Sequence, residues 1–565
     1  MILPFTALFF VVNALGVLGQ KPFLEKAGDR QWRIGNNLWS IVQGRDTATK
    51  LQFKGRDLVS GTKGHYLSIG EYGNNGKTSL QWTSADIVQR GSDFIDIRFN
   101  SNEGEMHWVI KDNEPGAHQY FVNKRLPRIG EFRSILRLDP GLFPKGRTSV
   151  KDGNLPSLSD IKKSTKTQDE TWKKSDGSYI TKYDWSDNVR SMDFYGVYGG
   201  SFGAWYMHAG RDYFNGNHLK QELMVHRETN SGDAVMLNMI HGTHFQASSA
   251  DEPPSGKMWG PWFLYFNGGS VADAKSRYES EVKQWPYSWV TDAAYKSRGV
   301  VSGDLTLQDG RPAAGAAVFL GDNNPTKTDM DMGTTYYYTA YADAEGQFSI
   351  PNVRSGTYGL RAWANGGNIS DVLTTFSKNG VTVTAGQTNA LGALQWPLPG
   401  RQKVFQVGEY DRKSTGFGPA DRPMFQAGLI DRCPASLTYT VGRSSPADWC
   451  FGMYKRGTWT IAFTLDDPPP AGKQAILTVS LAGYSGMSCG VTVNKKTNIG
   501  SFRSSNPASD PGTYRSATVN GEWRLWEYKF SGSALQKGAN TVEFTVNEEQ
   551  QWRGILWDTV VLEFA

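Results

Sequence analysis

Cysteine is nearly missing from this chain: Cys433, Cys450 and Cys489 are the only three in 565 residues, and no Cys-x-x-Cys occurs. That excludes a disulfide-dense scaffold and leaves little chemistry for a thiolate metal site. Past the N-terminus no apolar run approaches the roughly 18 residues of a membrane-crossing helix, so no membrane partner is expected. Long stretches rich in Ala, Leu, Glu and Lys at helical period are scarce, which argues against a helical bundle. Basic helices, zinc-ligand spacings and RNP-like aromatic motifs are absent, and nucleic acid is not an expected partner. Histidine is missing beyond residue 244. His65, His107, His118, His208, His218, His226, His241 and His244 all lie in the first half, which concentrates the near-neutral acid–base chemistry there.

What is abundant indicates an all-β protein. Aromatics make up 13% of the chain, with 19 Trp, 63 Gly and 25 Pro. Short Val/Thr/Tyr/Phe runs alternate with Gly, Asn, Asp and Pro. The net charge is +5; such a field suits a polyanionic partner and an inert solvated surface equally well. The first residues, MILPFTALFFVVNALGVLGQ, place an apolar run before small residues. This predicts a signal peptide over 1–19 and a secreted, extracellular protein. One sequon, Asn368-Ile369-Ser370, accords with that. A secreted chain with three cysteines predicts one disulfide and a free thiol, and Cys433–Cys450 is favoured because it closes a short loop.

The length is too great for one core, and composition separates three blocks. Residues 20–292 hold strands such as Phe94–Phe99 and His107–Ile110, in which apolar and polar residues alternate, and close on a helical patch from Val271 to Val282. Residues 298–397 carry about seven short strands at close spacing, which suits a small sandwich. Residues 400–565 have the length and strand density of a jelly roll. Monomer is the default expectation.

Candidate chemistry lies in the first block. Arg133 and Arg137, four apart in a strand-like run, share a face; they would grip carboxylates in a groove or make salt bridges on a solvated sheet. Lys162, Lys163, Lys166, Lys173 and Lys174 are predicted to decorate a solvated loop. Lys182 differs, lying in the aromatic, strand-like run Tyr179–Trp185, where a lysine can have its pKa lowered and act as a base. His241-Gly242-Thr243-His244 has the look of a metal site, yet strand alternation puts i and i+3 on opposite faces, so two imidazoles on one ion is a poor fit. Asp329 and Asp331 are the candidate ligands of a structural calcium.

Taken in order, Gly130-Glu131-Phe132-Arg133 to Arg137, Thr181-Lys182-Tyr183, Leu219-Lys220-Gln221-Glu222-Leu223, His241 to His244 and Trp259-Gly260-Pro261-Trp262 resemble the rhamnogalacturonan lyases of polysaccharide lyase family four. Gly346-Gln347-Phe348, Gly356-Thr357-Tyr358 and the Phe405–Asp411 run with Pro419 to Pro423 extend the resemblance through the later blocks. It implies an antiparallel β-super-sandwich of galactose-mutarotase type, then a fibronectin type III-like sandwich and a carbohydrate-binding-like jelly roll. It also implies Lys182 and His244 as the catalytic pair, Arg133 and Arg137 as substrate-binding groups, and no cofactor for catalysis. Lys173 and Lys174 are alternatives for the lysine, and Lys182 fits the family pattern better. Leu237 and Met239 stand where some members carry tyrosines.

The implied reaction is β-elimination at a galacturonate of rhamnogalacturonan I, an acidic plant cell-wall polysaccharide. The expectation is that Lys182 takes the C5 proton while His244 protonates the departing oxygen, with the reverse assignment open. Two rival readings are a glycoside hydrolase using Glu131, Asp184 or Glu222 as its carboxylates, and a non-catalytic pectin-binding protein.

Overall fold

The computed structural model describes residues 21–565 except 74–75, 243, 246–249, 328, 330–331, 421–427, 504–510, 516–520 and 550–552. The segment 1–19 predicted as a signal peptide, and Asp331, therefore lie outside the described residues. Strands make up 50% of the chain and helix 9%, and the strands are arranged in antiparallel sheets with few exceptions.

A nine-stranded sheet forms the back of the first block, with Met258–Asn267 and Gly116–Asn123 near its middle. Against it lies a five-stranded sheet in the order Val225–Arg227, Ala234–His241, Ile129–Leu138, Gly64–Glu71 and Lys77–Ser79. Strand period explains why the central strand joins core to cavity. Phe132, Ser134, Leu136 and Leu138 are fully buried on one face, while Glu131, Arg133 and Arg137 on the other are only partly covered. Phe132 bridges the layers, its ring centroid 4.8 Å from Phe121 and 5.5 Å from Trp259 of the large sheet.

The helical patch is the helix Val271–Gln284, capped by the Ser270 side chain accepting from the Asp273 N–H. Its buried residues are Ala274 and Glu281, and Glu281 meets the buried His118 ring at 2.7 Å. Strands between 298 and 396 form a three-stranded and a four-stranded sheet, with Arg298–Leu307 running parallel to Thr388–Trp396. Strands between 402 and 564 form two five-stranded sheets around a separate core. Cys433 is bonded to Cys450, and Cys489 is free and buried.

Two expectations need correction. Tyr179–Trp185 is not one strand: only Tyr179–Thr181 is, and Lys182–Trp185 turns as a 3₁₀ helix. The Thr181 hydroxyl accepts from the Tyr183 N–H at 3.2 Å, and Ser186 donates to the Tyr183 carbonyl at 2.7 Å, a local competition that strand period does not register. Of the five lysines expected in a loop, Lys162 and Lys163 belong to a helix, Leu158–Lys163, and Lys166 and Lys173 to a small hairpin sheet, while Lys174 opens the hairpin turn. The Asp329 carboxylate pairs with Arg412 at 3.0 Å, both groups buried.

Phe132→Ala is expected to cost about 3–5 kcal/mol, read as a lowered denaturation midpoint in urea. A loss under 1 kcal/mol would show that the two sheets do not depend on this contact.

Candidate active site

The outer face of the five-stranded sheet is the floor of a cavity of about 590 Å³. Arg133, Arg137, Lys182 and His244, singled out separately in the sequence, all line it. The two arginines arrive by strand period, with Arg133 paired opposite Ser68 and Arg137 opposite Val235. Lys182 arrives by the turn just described, in which buried Tyr183 and Trp185 anchor the backbone.

Each cation is held by carboxylates. Lys182 Nζ lies 3.0 Å from Glu170 and 3.4 Å from Glu228. Arg137 meets Glu228 at 3.0 Å and Asp233 at 3.3 Å, and its Nε donates to the Tyr66 hydroxyl at 3.1 Å. Arg133 meets Glu131 at 3.1 Å, and Lys77 reaches the same carboxylate at 2.7 Å. Lys182 is thus bracketed by acids, not set among aromatics as the sequence suggested.

His244 is placed differently. Its Nδ1 is 2.9 Å from Glu222, and its backbone N–H donates to the same oxygen at 3.2 Å. Glu222 is buried and held in turn by the buried Lys220 ammonium at 3.1 Å, while Lys220 also donates to the Gly242 carbonyl. Burial alone would raise the Glu222 carboxyl; the charge of Lys220 and the bond from His244 outweigh it and hold it below the usual range. An ionised Glu222 only accepts, which assigns the imidazole proton to Nδ1 and leaves Nε2 with its lone pair when the ring is neutral. Burial pulls the His244 pKa below its ordinary value, against the opposing pull of Glu222.

His241, the other half of the suspected metal motif, is buried and turned to Asp251 at 3.2 Å. The hydrolase candidates scatter: Asp184 pairs with Lys151 at 3.3 Å outside the cavity lining, Glu222 stands behind His244, and only Glu131 lines the floor. A hydrolase would need one carboxyl held protonated. Burial pushes Glu131, Asp169 and Glu222 upward, yet neighbouring cations hold all three below the usual range; Glu228 is held low by the His226 ring 3.8 Å away and by Lys182.

Residues that sequence reasoning did not single out complete the wall. Glu170, Glu228 and Asp169 supply the counter-charges, and His226, pushed down to about 3 by burial, is a neutral lining group. Leu237 lines the floor as an apolar patch, whereas Met239 is buried outside it. Arg515, from the last block, also faces the cavity.

Residues 308–391 match the family model described as polysaccharide lyase family 4, domain II, and residues 403–562 match that of domain III. Over 541 residues the chain is 29% identical to the rhamnogalacturonate lyase of Dickeya dadantii, covering 90% of each protein. It is 26% identical over 559 residues to a probable rhamnogalacturonate lyase B of Aspergillus terreus, covering 83% of this chain and 81% of that one. The corresponding figures for a probable rhamnogalacturonate lyase B of Aspergillus niger are 25% over 453 residues, 67% and 62%.

With selectively ¹⁵N-labelled histidine, His244 is expected to show a protonated Nδ1 and a bare Nε2 near neutral pH. Its second proton should bind below the ordinary imidazole value of about 6.5. An Nε2–H tautomer would mean that Glu222 does not orient the ring.

Proposed function

The chain belongs to polysaccharide lyase family 4, and on that footing we propose that it cleaves the rhamnose-(1,4)-galacturonate bonds of rhamnogalacturonan I by β-elimination, as an exported endolyase. The carrying observation is the convergence on one floor of two arginines, an ion-paired lysine and a carboxylate-oriented imidazole. The relatives' names supply the substrate class.

The C5 proton of a uronate is weakly acidic because its carboxylate is already charged, and the transition state adds more negative charge. Arg133 and Arg137 face the position where that carboxylate would lie, and each offers several donors in a fixed fork. Positive groups already in place where charge develops cost no reorganisation at the moment of reaction.

The sequence left base and acid open, and the site's geometry favours the reverse of the first assignment. A neutral His244, with its lone pair on Nε2, is a proton acceptor. Lys182, ion-paired with two carboxylates, is a proton donor. In this reading Nε2 takes the C5 proton, the C–H electrons form the C4–C5 double bond, and the C4–O bond breaks toward oxygen. The departing rhamnose oxygen then takes a proton from the Lys182 ammonium. Each role is worth about 10²–10⁴ in rate. The charge work falls to the chain's own guanidinium groups, so no cofactor is invoked. Export is proposed on the N-terminal apolar segment, and Asn368 of the sequon is exposed. Among the described residues no helix is long and apolar enough to cross a membrane.

The test follows the ultraviolet absorbance of the unsaturated uronate on debranched rhamnogalacturonan I, with EDTA present. Wild type should release it, and Lys182→Ala and His244→Ala should each lose about 10²–10⁴ in kcat. As a base His244 must be neutral, so activity falls as pH drops through its pKa; the lowered pKa sets that acid limb below the usual imidazole range. New reducing ends without absorbance would instead mean hydrolysis. Binding without any cleavage would favour the pectin-binding reading.

A further inference from the structure

The part of the cavity wall that does not come from the first block is a short stretch of the last one, Pro511 to Arg515. Arg515 is its functional end. Its Nε and one Nη reach the Asp169 carboxylate at 2.9 and 2.7 Å, and its other Nη donates to the His244 carbonyl at 2.5 Å. The guanidinium also lies 4.8 Å over the Tyr183 ring, whose hydroxyl donates to Asp169 at 2.8 Å.

These contacts fall on both reacting arms. Asp169 is adjacent in the chain to Glu170, which pairs with Lys182, and Tyr183 follows Lys182 directly. The Lys182 N–H donates to the Glu170 carbonyl at 3.1 Å, so turn and lysine move together. On the other arm the His244 carbonyl fixes the backbone from which the imidazole projects. A second contact anchors the same hairpin from the same block: the Tyr179 hydroxyl donates to Asp431 at 2.5 Å, and Lys173 approaches it at 3.4 Å. Asp431 is two residues before the disulfide-bonded Cys433, and Lys455 donates to the carbonyls of both.

We propose that Arg515 is a positioning residue for the elimination, clamping the Lys182 turn and the His244 backbone in one register, and that the carbohydrate-binding-like block is therefore an integral wall of the active site. The proposal rests on Lys182 and His244 being the reacting pair. Near-attack geometry is sensitive to misplacement by about 1 Å, which can cost 10²-fold in rate, and a five-donor planar fork is the side chain that can span two anchors at once. The Arg515 charge also helps to hold the His244 pKa down, so its removal has a signature that loss of folding does not.

The experiment uses the full-length chain with Arg515→Gln, Arg515→Lys and Asp169→Asn, each checked by thermal melting, with kcat, KM and pH profiles on rhamnogalacturonan I. Asp169→Asn weakens the clamp from the first block and stands in should Arg515→Gln fail to fold. The expected result is a kcat lowered by about tenfold to 10²-fold in folded Arg515→Gln. KM should change less, the acid limb should move to higher pH, and Arg515→Lys should recover the limb and part of the rate. Asp169→Asn should lower kcat in the same way. Wild-type kcat and an unmoved limb in folded Arg515→Gln, or in Asp169→Asn, would overturn the clamp. His244→Ala run alongside separates the two levels: if it is inactive while Arg515→Gln is normal, the clamp alone fails. An active His244→Ala removes the pair assignment and the clamp with it.

Discussion

The site is organised by the pairing of buried and half-buried cations with carboxylates. Lys77, Arg133, Arg137, Lys182 and Arg515 all line one cavity, and an unpaired cluster of that kind would repel itself and be costly to desolvate. Glu131, Glu170, Glu228, Asp233 and Asp169 solve the problem by holding each cation in place. The consequence is a cavity that is rich in donors and close to balanced in charge before substrate arrives. A polyanion would then be recognised by the direction of the guanidinium forks more than by a strong net field, in keeping with a chain whose net charge is only +5.

The same economy explains the imidazole. A histidine in water is half-protonated near neutral pH, and a base that must be neutral gains from burial, which disfavours the charged ring. Burial alone would leave the ring free to rotate and to choose its tautomer. Glu222 removes that freedom through Nδ1 and the backbone N–H. A carboxylate buried so deeply would itself be driven neutral without Lys220, so the ammonium behind it is what keeps the acceptor ionised. The chain of Lys220, Glu222 and His244 runs from fully buried to cavity wall and leaves the lone pair of the neutral ring on Nε2.

Much of this was legible in the sequence where periodicity governs. Arg133 and Arg137 share a face because strand residues i and i+4 must, and the opposite face, Phe132 to Leu138, is the buried apolar set that alternation requires. The rings of His241 and His244 turn to different carboxylates, but the strand ends at His241, so strand period is not what separates them. Lys182 was found by its motif but misplaced in its surroundings, because a threonine cap converts the expected strand into a turn. Its partners were not legible at all. Glu228 lies 46 residues along the chain, and the Asp169–Arg515 pair spans 346. Nothing in local pattern marks a charged residue on a surface hairpin as the counter-ion of another block, since ion pairs of that range are set by how the sheets stack.

That stacking has a common device. Between the first and middle blocks, Asp212 accepts from Arg298 at 3.1 Å and from Arg354 at 2.9 Å, all three buried or nearly so. Between the middle and last blocks, Arg412 lies between the rings of Trp363 and Trp523, 4.3 and 3.8 Å from their centroids, and donates to Asp329. Between the last and first blocks stands Arg515 with Asp169. Each seam carries an arginine–aspartate contact, directional and costly to leave half-made: breaking a buried pair from one side costs about 3–5 kcal/mol. Apolar seams would tolerate sliding, whereas a planar fork on a carboxylate fixes an angle as well as a distance. Three such seams close a ring, so the last block cannot shift on the first without straining the other two. A cavity whose third wall belongs to a distant part of the chain requires that kind of closure, because its geometry is only as good as the register between blocks.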